Sequence, residues 1–334
     1  MKKFNNKYEW FASGNAPLLF PTELVTGDFL FDDLSKIRIP ESSPFAAKWG
    51  EAVSMHILPE KYHPVPKYIL MAWFSIVENK FYAVADELPQ EQIEELLAEK
   101  NEKKKPKYNT LIAGMAPYGK LALWLSGNGI TTEAAWIQGK EIQMEMKEFA
   151  PKSKLDREEY AKKALADCKE ACENFKKNGL PDPMLFERYH QKFNYRITPK
   201  FESAARFEGI ELYYYNGELN SANSGEHVEN SMRAKPCKIV LNWRIGKAQY
   251  SGYFWTDENE IIKTFYNCYG SDALKEGNLT IQAESSNKKF RFFLQTDDAS
   301  VEIPVEEIEY IIFKNKFEFF RSSNYKRPPQ GWRN

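Results

Sequence analysis

The stretch most like a reactive loop is GMAPYGKL, Gly114 to Leu121. It has the glycine spacing and the lysine of a phosphate-binding loop, G-x-x-x-x-G-K. In such a loop a Ser or Thr after the lysine holds magnesium, but here that place is taken by Leu121. The residues that follow, LALWL, read as a strand, whereas bound phosphate sits at a helix N-terminus. The stretch is therefore expected to be a hairpin turn that binds no nucleotide. His56 and His63 flank a proline-rich loop and could pair on a metal, although a lone loop histidine is more often hydrogen-bonded at the surface. His190 lies in FERYHQKF, where packing of a helix on a sheet explains it. Glu78, Asp86 and Glu87 lie close in sequence, and paired acids would suit glycoside hydrolysis. Turn and capping roles account for them as well. Cys168 and Cys172 are four apart on a predicted helix, as a metal or redox pair would be. They also fit the buried stripe of that helix, because free cysteine is a small and mostly buried residue. Dinucleotide loops, nucleophile elbows and zinc-helix motifs are missing from the sequence. No catalytic residue is singled out, and neither a cofactor nor a metal is expected.

The elements that would carry these residues are punctuated clearly. Residues 1–66 contain seven prolines and read as short strands near 8–12 and 23–31 joined by loops. KYILMAWFSIV and FYAVADEL form a strand pair around Glu78-Asn79-Lys80. Pro89 opens a helix, and YNTLIAGMA with KLALWLSG forms a second pair turned at Pro117-Tyr118-Gly119. NEKKKPK at 101–107 is a basic connector. One helix is predicted over 155–177, with Ala164, Cys168, Cys172 and Phe175 facing inward together. Asn178-Gly179 stops it, and Asp182-Pro183 starts a second helix running to about 193. The polar stretch 221–235 reads as a linker. Beyond it, CKIVLNWRI and AQYSGYFWT form a hairpin, Asp257 caps a helix, and NLTIQAES with KFRFFLQT forms another hairpin. The expected domains are 1–220, including a helical segment at about 153–193, then 236–325, with a tail at 326–334. The fold class is α+β, with mainly antiparallel sheets and helices on one face. Both halves run strand, strand, helix, strand, strand, with Trp73 and Trp243, Asp86 and Asp257, and Leu111 and Leu279 in comparable places. Coincidence and duplication both remain open.

The 334 residues are 43% hydrophobic and 15% aromatic, with 46 basic against 47 acidic side chains and a net charge of −1. This is a globular composition with no global field to coat nucleic acid. No run is long enough to span a bilayer. MKKFNNKYEWF has two lysines but no apolar core, so it is not a secretory signal as written. A cytoplasmic location fits, and a periplasmic or lipid-anchored one if a signal was trimmed. Tyr213-Tyr214-Tyr215 and Tyr250, Tyr253, Phe254 and Trp255 alternate along strands, giving either a second packed layer or an aromatic recognition surface.

Three segments, YEWFASGNAPLLFPTEL, WFSIVENKFYAVADELP and LIAGMAPYGKLALWLSG, carry a resemblance. The W-F-S…E-N-K-F-Y strand pair and the hairpin of Gly114, Ala116, Pro117, Gly119 and Trp124 resemble a bacterial family catalogued as a domain of unknown function, over roughly residues 7–220. Some members carry lipoprotein-like signals, which this chain lacks. Relatives tend to lie near secreted antibacterial toxins, so the resemblance implies a toxin-neutralising role. The expected function is a non-enzymatic binding protein, an immunity protein that covers a secreted toxin. The alternatives are a hydrolase acting on carbohydrate or lipid through unrecognised carboxylates, or an aromatic-lined ligand-binding module. The partner is a protein, and contact residues are assigned to Tyr118, Tyr214 and Glu78.

Overall fold

The structure is a computed structural model, and it describes residues 6–53, 60–223 and 228–326. The chain divides into two compact units, the first ending at Phe186 and the second starting at Glu187.

The first unit begins with β1 (Lys7–Glu9), β2 (Phe11–Asn15), β3 (Thr22–Leu30), β4 (Lys36–Arg38) and β5 (Tyr62–Pro64). The hairpin β6 (Tyr68–Ser75) and β7 (Lys80–Glu87) leads into α1 (Gln90–Ala98). Then come β8 (Thr110–Ala116), β9 (Lys120–Gly127), β10 (Ile130–Gln138) and β11 (Lys140–Ile142). Four helices follow, α2 (Met146–Phe149), α3 (Arg157–Asp167), α4 (Lys169–Asn178) and α5 (Leu185–His190), the last crossing the division. One set of strands is ordered β2-β8-β9-β10 and a second β11-β7-β6-β3-β4. Alternation along β6 and β7 points Met71, Trp73, Tyr82 and Val84 into a core shared with Leu111, Leu123 and Ile93. The opposite face of the hairpin presents Phe74 and Phe81, on which α2, α3 and α4 pack through Phe149, Tyr160, Leu165 and Ala171.

The second unit contains β12 (Phe193–Phe201), β13 (Arg206–Tyr214), β14 (Leu219–Asn223), β15 (Val228–Arg233), β16 (Pro236–Ile245) and β17 (Ala248–Thr256). They are followed by α6 (Glu258–Tyr269), β18 (Gly277–Ala283), β19 (Phe290–Thr296), β20 (Ser300–Ile303), β21 (Ile308–Lys314) and β22 (Phe317–Arg321). Asp257 caps α6 by accepting hydrogen bonds from the amides of Asn259 and Glu260. The strand orders are β14-β13-β16-β17-β21-β22 and β15-β12-β18-β19-β20.

These orders are the same wiring twice. Strands β3, β4, β6, β7 and β11 correspond to β13, β14, β16, β17 and β21, while β8, β9 and β10 correspond to β18, β19 and β20. Continuous β12 replaces β1 and β2, and its parallel pairing with β18 matches that of β2 with β8. Trp73 faces Leu24 and Tyr82, and Trp243 faces Phe207 and Tyr250, with the register slipping just after Leu24 and just after Phe207. Trp10 donates its ring N–H to the Pro64 carbonyl at 3.1 Å, and Tyr195 donates its hydroxyl to the Ala234 carbonyl at 2.6 Å. Ile93 in α1 and Ile261 in α6 are both fully buried. The likeness therefore extends to individual core positions, beyond the strand order that the sequence suggests. It also shifts one expected match, because the helix-opening position of Asp257 is occupied in the first unit by Pro89 rather than Asp86.

The fold is α+β and mainly antiparallel, as the alternating hydrophobic pattern requires. Other expectations change. Residues 219–223 and 228–233 are strands, with 224–227 outside the described residues, so the polar stretch supplies two strands and not a linker. Of the two, β15 lies at a sheet edge, where polar side chains are common, which is why the composition misleads there. The helix over 155–177 is broken at Cys168, whose φ of −97° and ψ of 78° leave helical space, and α6 is the longest helix with 12 residues. The break preserves the period on either side, so periodicity cannot see it. Ala161, Leu165 and Ala171 take the buried places, and Ala164, Cys168, Cys172 and Phe175 pack half-buried beside them. The second helix is shorter than expected, since Phe193 already belongs to β12.

Candidate functional site

The two hairpins that carry the family resemblance meet at Glu78. Its carboxylate accepts from the Ser75 hydroxyl at 2.7 Å, the Tyr82 hydroxyl at 2.8 Å and the Tyr118 amide at 3.1 and 3.0 Å. Burial and the carboxylate push the Tyr82 hydroxyl well up from its ordinary pKa. Tyr118 takes the left-handed conformation, φ 61°, that the tight Pro117–Gly119 turn demands. Its hydroxyl donates to the Pro181 carbonyl at 2.7 Å. Gly114 leaves room for Trp124, since a Cβ there would lie 2.2 Å from that indole. GMAPYGKL is thus a hairpin turn held from the side by an acid. Tyr214, assigned as an exposed contact residue, is 3% exposed because its side of β13 faces the core.

The other candidates are placed as follows. His63 is buried, 5.7 Å from the Trp10 ring and stacked on Phe31, and burial lowers its pKa. His56 lies outside the described residues. Asp86 accepts from the Glu87 amide, and both acids are exposed. His190 is half-buried in α5. None of the four cysteines is in a disulfide, and Cys237 and Cys268 are buried. Among the described residues no three His, Cys, Asp or Glu side chains stand where they could share a metal ion. Of the aromatic run in the second unit, Tyr213, Tyr253 and Trp255 surround the protein's own Lys238, at 4.7, 5.7 and 5.8 Å from its ammonium. Their π-faces are thereby engaged internally.

A cavity of about 710 Å³ in the first unit gathers groups that sequence reasoning did not single out. Its floor is Glu23 on β3, 8% exposed, which shares the outer sheet face with Phe74 and Phe81. Helix α3 closes one side. Asp156 and Glu159 form its capping box, Ala161 and Leu165 seat it, and Tyr160 points at the floor. The Tyr160 hydroxyl donates to Glu23 Oε2 at 2.8 Å, and the Ser43 hydroxyl also bonds this carboxyl. Burial raises the Glu23 pKa against the opposing pull of these two bonds. Burial and the Glu23 carboxylate push Tyr160 up to about 12. Exposed Lys152, Lys163 and Asp167 stand around the opening. Such a cleft can hold a polar group by hydrogen bonds, and an acid favouring its protonated form can also donate a proton. A strand acid and a helix tyrosine 137 residues apart leave no local trace in sequence.

A family model described as a protein of unknown function, DUF2931, matches residues 1–181. The chain belongs to the DUF2931 family. The match coincides closely with the first unit and stops short of the 220 expected from the resemblance, because the shared hairpins lie in that unit. The DUF2931 match includes the Glu78 clamp, the Gly114–Trp124 hairpin and the Glu23 cleft. Neither a curated protein nor a solved structure matches the chain. No helix among the described residues is long and apolar enough to cross a membrane.

Proposed function

We propose that this chain is a non-enzymatic binding protein that neutralises a secreted antibacterial toxin by covering it. The toxin partner comes from the family resemblance. The binding role is supported by one observation, the engagement of Glu78. This acid, one of the three clustered in the sequence, is held by a hydroxyl from each side of its hairpin and by a backbone amide. It therefore fixes surface shape, which occlusion needs. The Glu23 cleft, with its exposed lysines, would take a polar side chain of the partner.

A second reading is favoured by the same cleft. A buried acid with a raised pKa, beside Ser43 and Asp167, is what a hydrolase acting on carbohydrate or lipid would use as a proton donor. One experiment separates the two. Cells would produce the chain with the toxin encoded beside it, and survival would be scored for the native chain and for Glu23→Gln. Occlusion predicts that the variant still protects and that a stoichiometric complex is recovered. Protection lost in a folded Glu23→Gln protein, with no complex from the native chain, would establish the hydrolase instead.

A further inference from the structure

The doubled wiring makes departures from it visible. The carbonyls of Pro64 and Ala234 are equivalent, each anchoring the buried ring of its unit, so the next residues, Val65 and Lys235, are equivalent too. Val65 is 2% exposed in the first core, and Lys235 is 0% exposed in the second. At the start of the following helix, Gln90 in α1 corresponds to Glu258 in α6. Two positions that are apolar or neutral in one copy are thus ionisable in the other.

Among the described residues the surroundings of Lys235 do not balance its charge. Its ammonium donates to the Gln191 carbonyl at 3.2 Å and stands 4.8 Å from the Phe193 ring. The charged group that acts on it is Arg188, another cation. The acid that faces Arg188, Glu258, is bonded to the Tyr189 hydroxyl, and burial favours its protonated form. Tyr189 is in turn stacked on Tyr215 at 5.0 Å. A lysine has three donors, and a buried cation without a counter-charge is costly. Desolvation lowers its pKa to about 7, so it carries charge readily below neutrality. Gln191 is half-buried, and its side-chain oxygen is held at 2.6 Å by the hydroxyl of the exposed Tyr266.

We propose that Lys235, with Arg188 beside it, is the recognition point of an oxyanion site in the second unit. The ligand class is a carboxylate or phosphoryl group, reaching the ammonium when Gln191 and Tyr266 turn aside. This site does not depend on the toxin-binding reading. The occupant would supply the negative charge that the protein itself withholds, and the apolar Val65 in the first unit would have no such site.

The test is titration calorimetry on the full chain with sulfate, whose charge is constant between pH 6 and 9, and separately with acetate. Lys235→Met, which restores the apolar character of the first unit, is the comparison, and its fold is checked by circular dichroism. The expected result is binding at pH 6 that weakens at least tenfold at pH 9 and at least tenfold in Lys235→Met. Response to sulfate alone assigns a phosphoryl group, and response to acetate alone assigns a carboxylate. Equal binding by the native chain and Lys235→Met, or no binding of either anion at pH 6, overturns the proposal.

Discussion

Replacing Glu78 by Ala should loosen the junction of two hairpins rather than abolish a chemical step. The carboxylate receives three donors, the hydroxyls of Ser75 and Tyr82 and the amide of Tyr118. A hydrogen bond to a charged group is worth about 1.5–3 kcal/mol. The three do not add, because Glu78 is half-buried and water reaches part of the space that Ala leaves. We therefore expect a loss of about 3–4 kcal/mol for Glu78→Ala. Glu78→Gln keeps one acceptor oxygen and should lose about 1–2 kcal/mol. Urea unfolding gives the global value, and native-state hydrogen exchange at the Tyr118 amide gives the local one. That amide should exchange much faster in the Ala variant and modestly faster in the Gln variant. A cost under about 1 kcal/mol for Glu78→Ala, with Tyr118 still protected, would refute the clamp.

Two further outcomes follow from buried groups. The Lys235 pKa is lowered from 10.5 to about 7, so between these values the unfolded chain binds the extra proton and stability rises with pH. The full span corresponds to at most about 5 kcal/mol. Lys235→Met should flatten the stability profile between pH 7 and 10 and be more stable than the native chain at pH 7, as urea midpoints across that range would show. Gly114→Ala should cost about 3 kcal/mol or more, because its Cβ would overlap Trp124 and Trp49. Its thermal midpoint, compared with that of Gly129→Ala, where space is open and only the left-handed φ of +78° opposes a side chain, reads the cost of the overlap.

Sequence showed the long hairpins because they declare themselves locally. KYILMAWFSIV and FYAVADEL alternate around a turn, and Asp257 marks a helix start that the structure confirms as the N-cap of α6. The short strands β4, β5 and β15 have three to six residues each and no run to betray them. Glu23 and Tyr160 meet through folding alone, as do Val65 and Lys235 through their common place in two copies. Tyr214 alternates regularly with the buried Ile210 and Leu212 along β13, so its inward direction was legible in the period of IELYY and the assignment as an exposed contact overlooked it.

The parallel pairs have a kinetic consequence. In each unit the strand that sits beside the β8 or β18 hairpin is made long before its partner, Phe11 meeting Thr110 and Tyr195 meeting Gly277. Closing loops of that length is entropically unfavourable and slows folding. Until it happens, the outer edge of β8 carries open amides and carbonyls, and TLIAGMA is an apolar strand buried along its whole length in the finished fold. An exposed apolar edge templates pairing between chains. Nascent protein should therefore be most prone to aggregate after β8 and β9 have formed and before β2 has docked, and loss of residues 11–15 would make that vulnerable interval permanent.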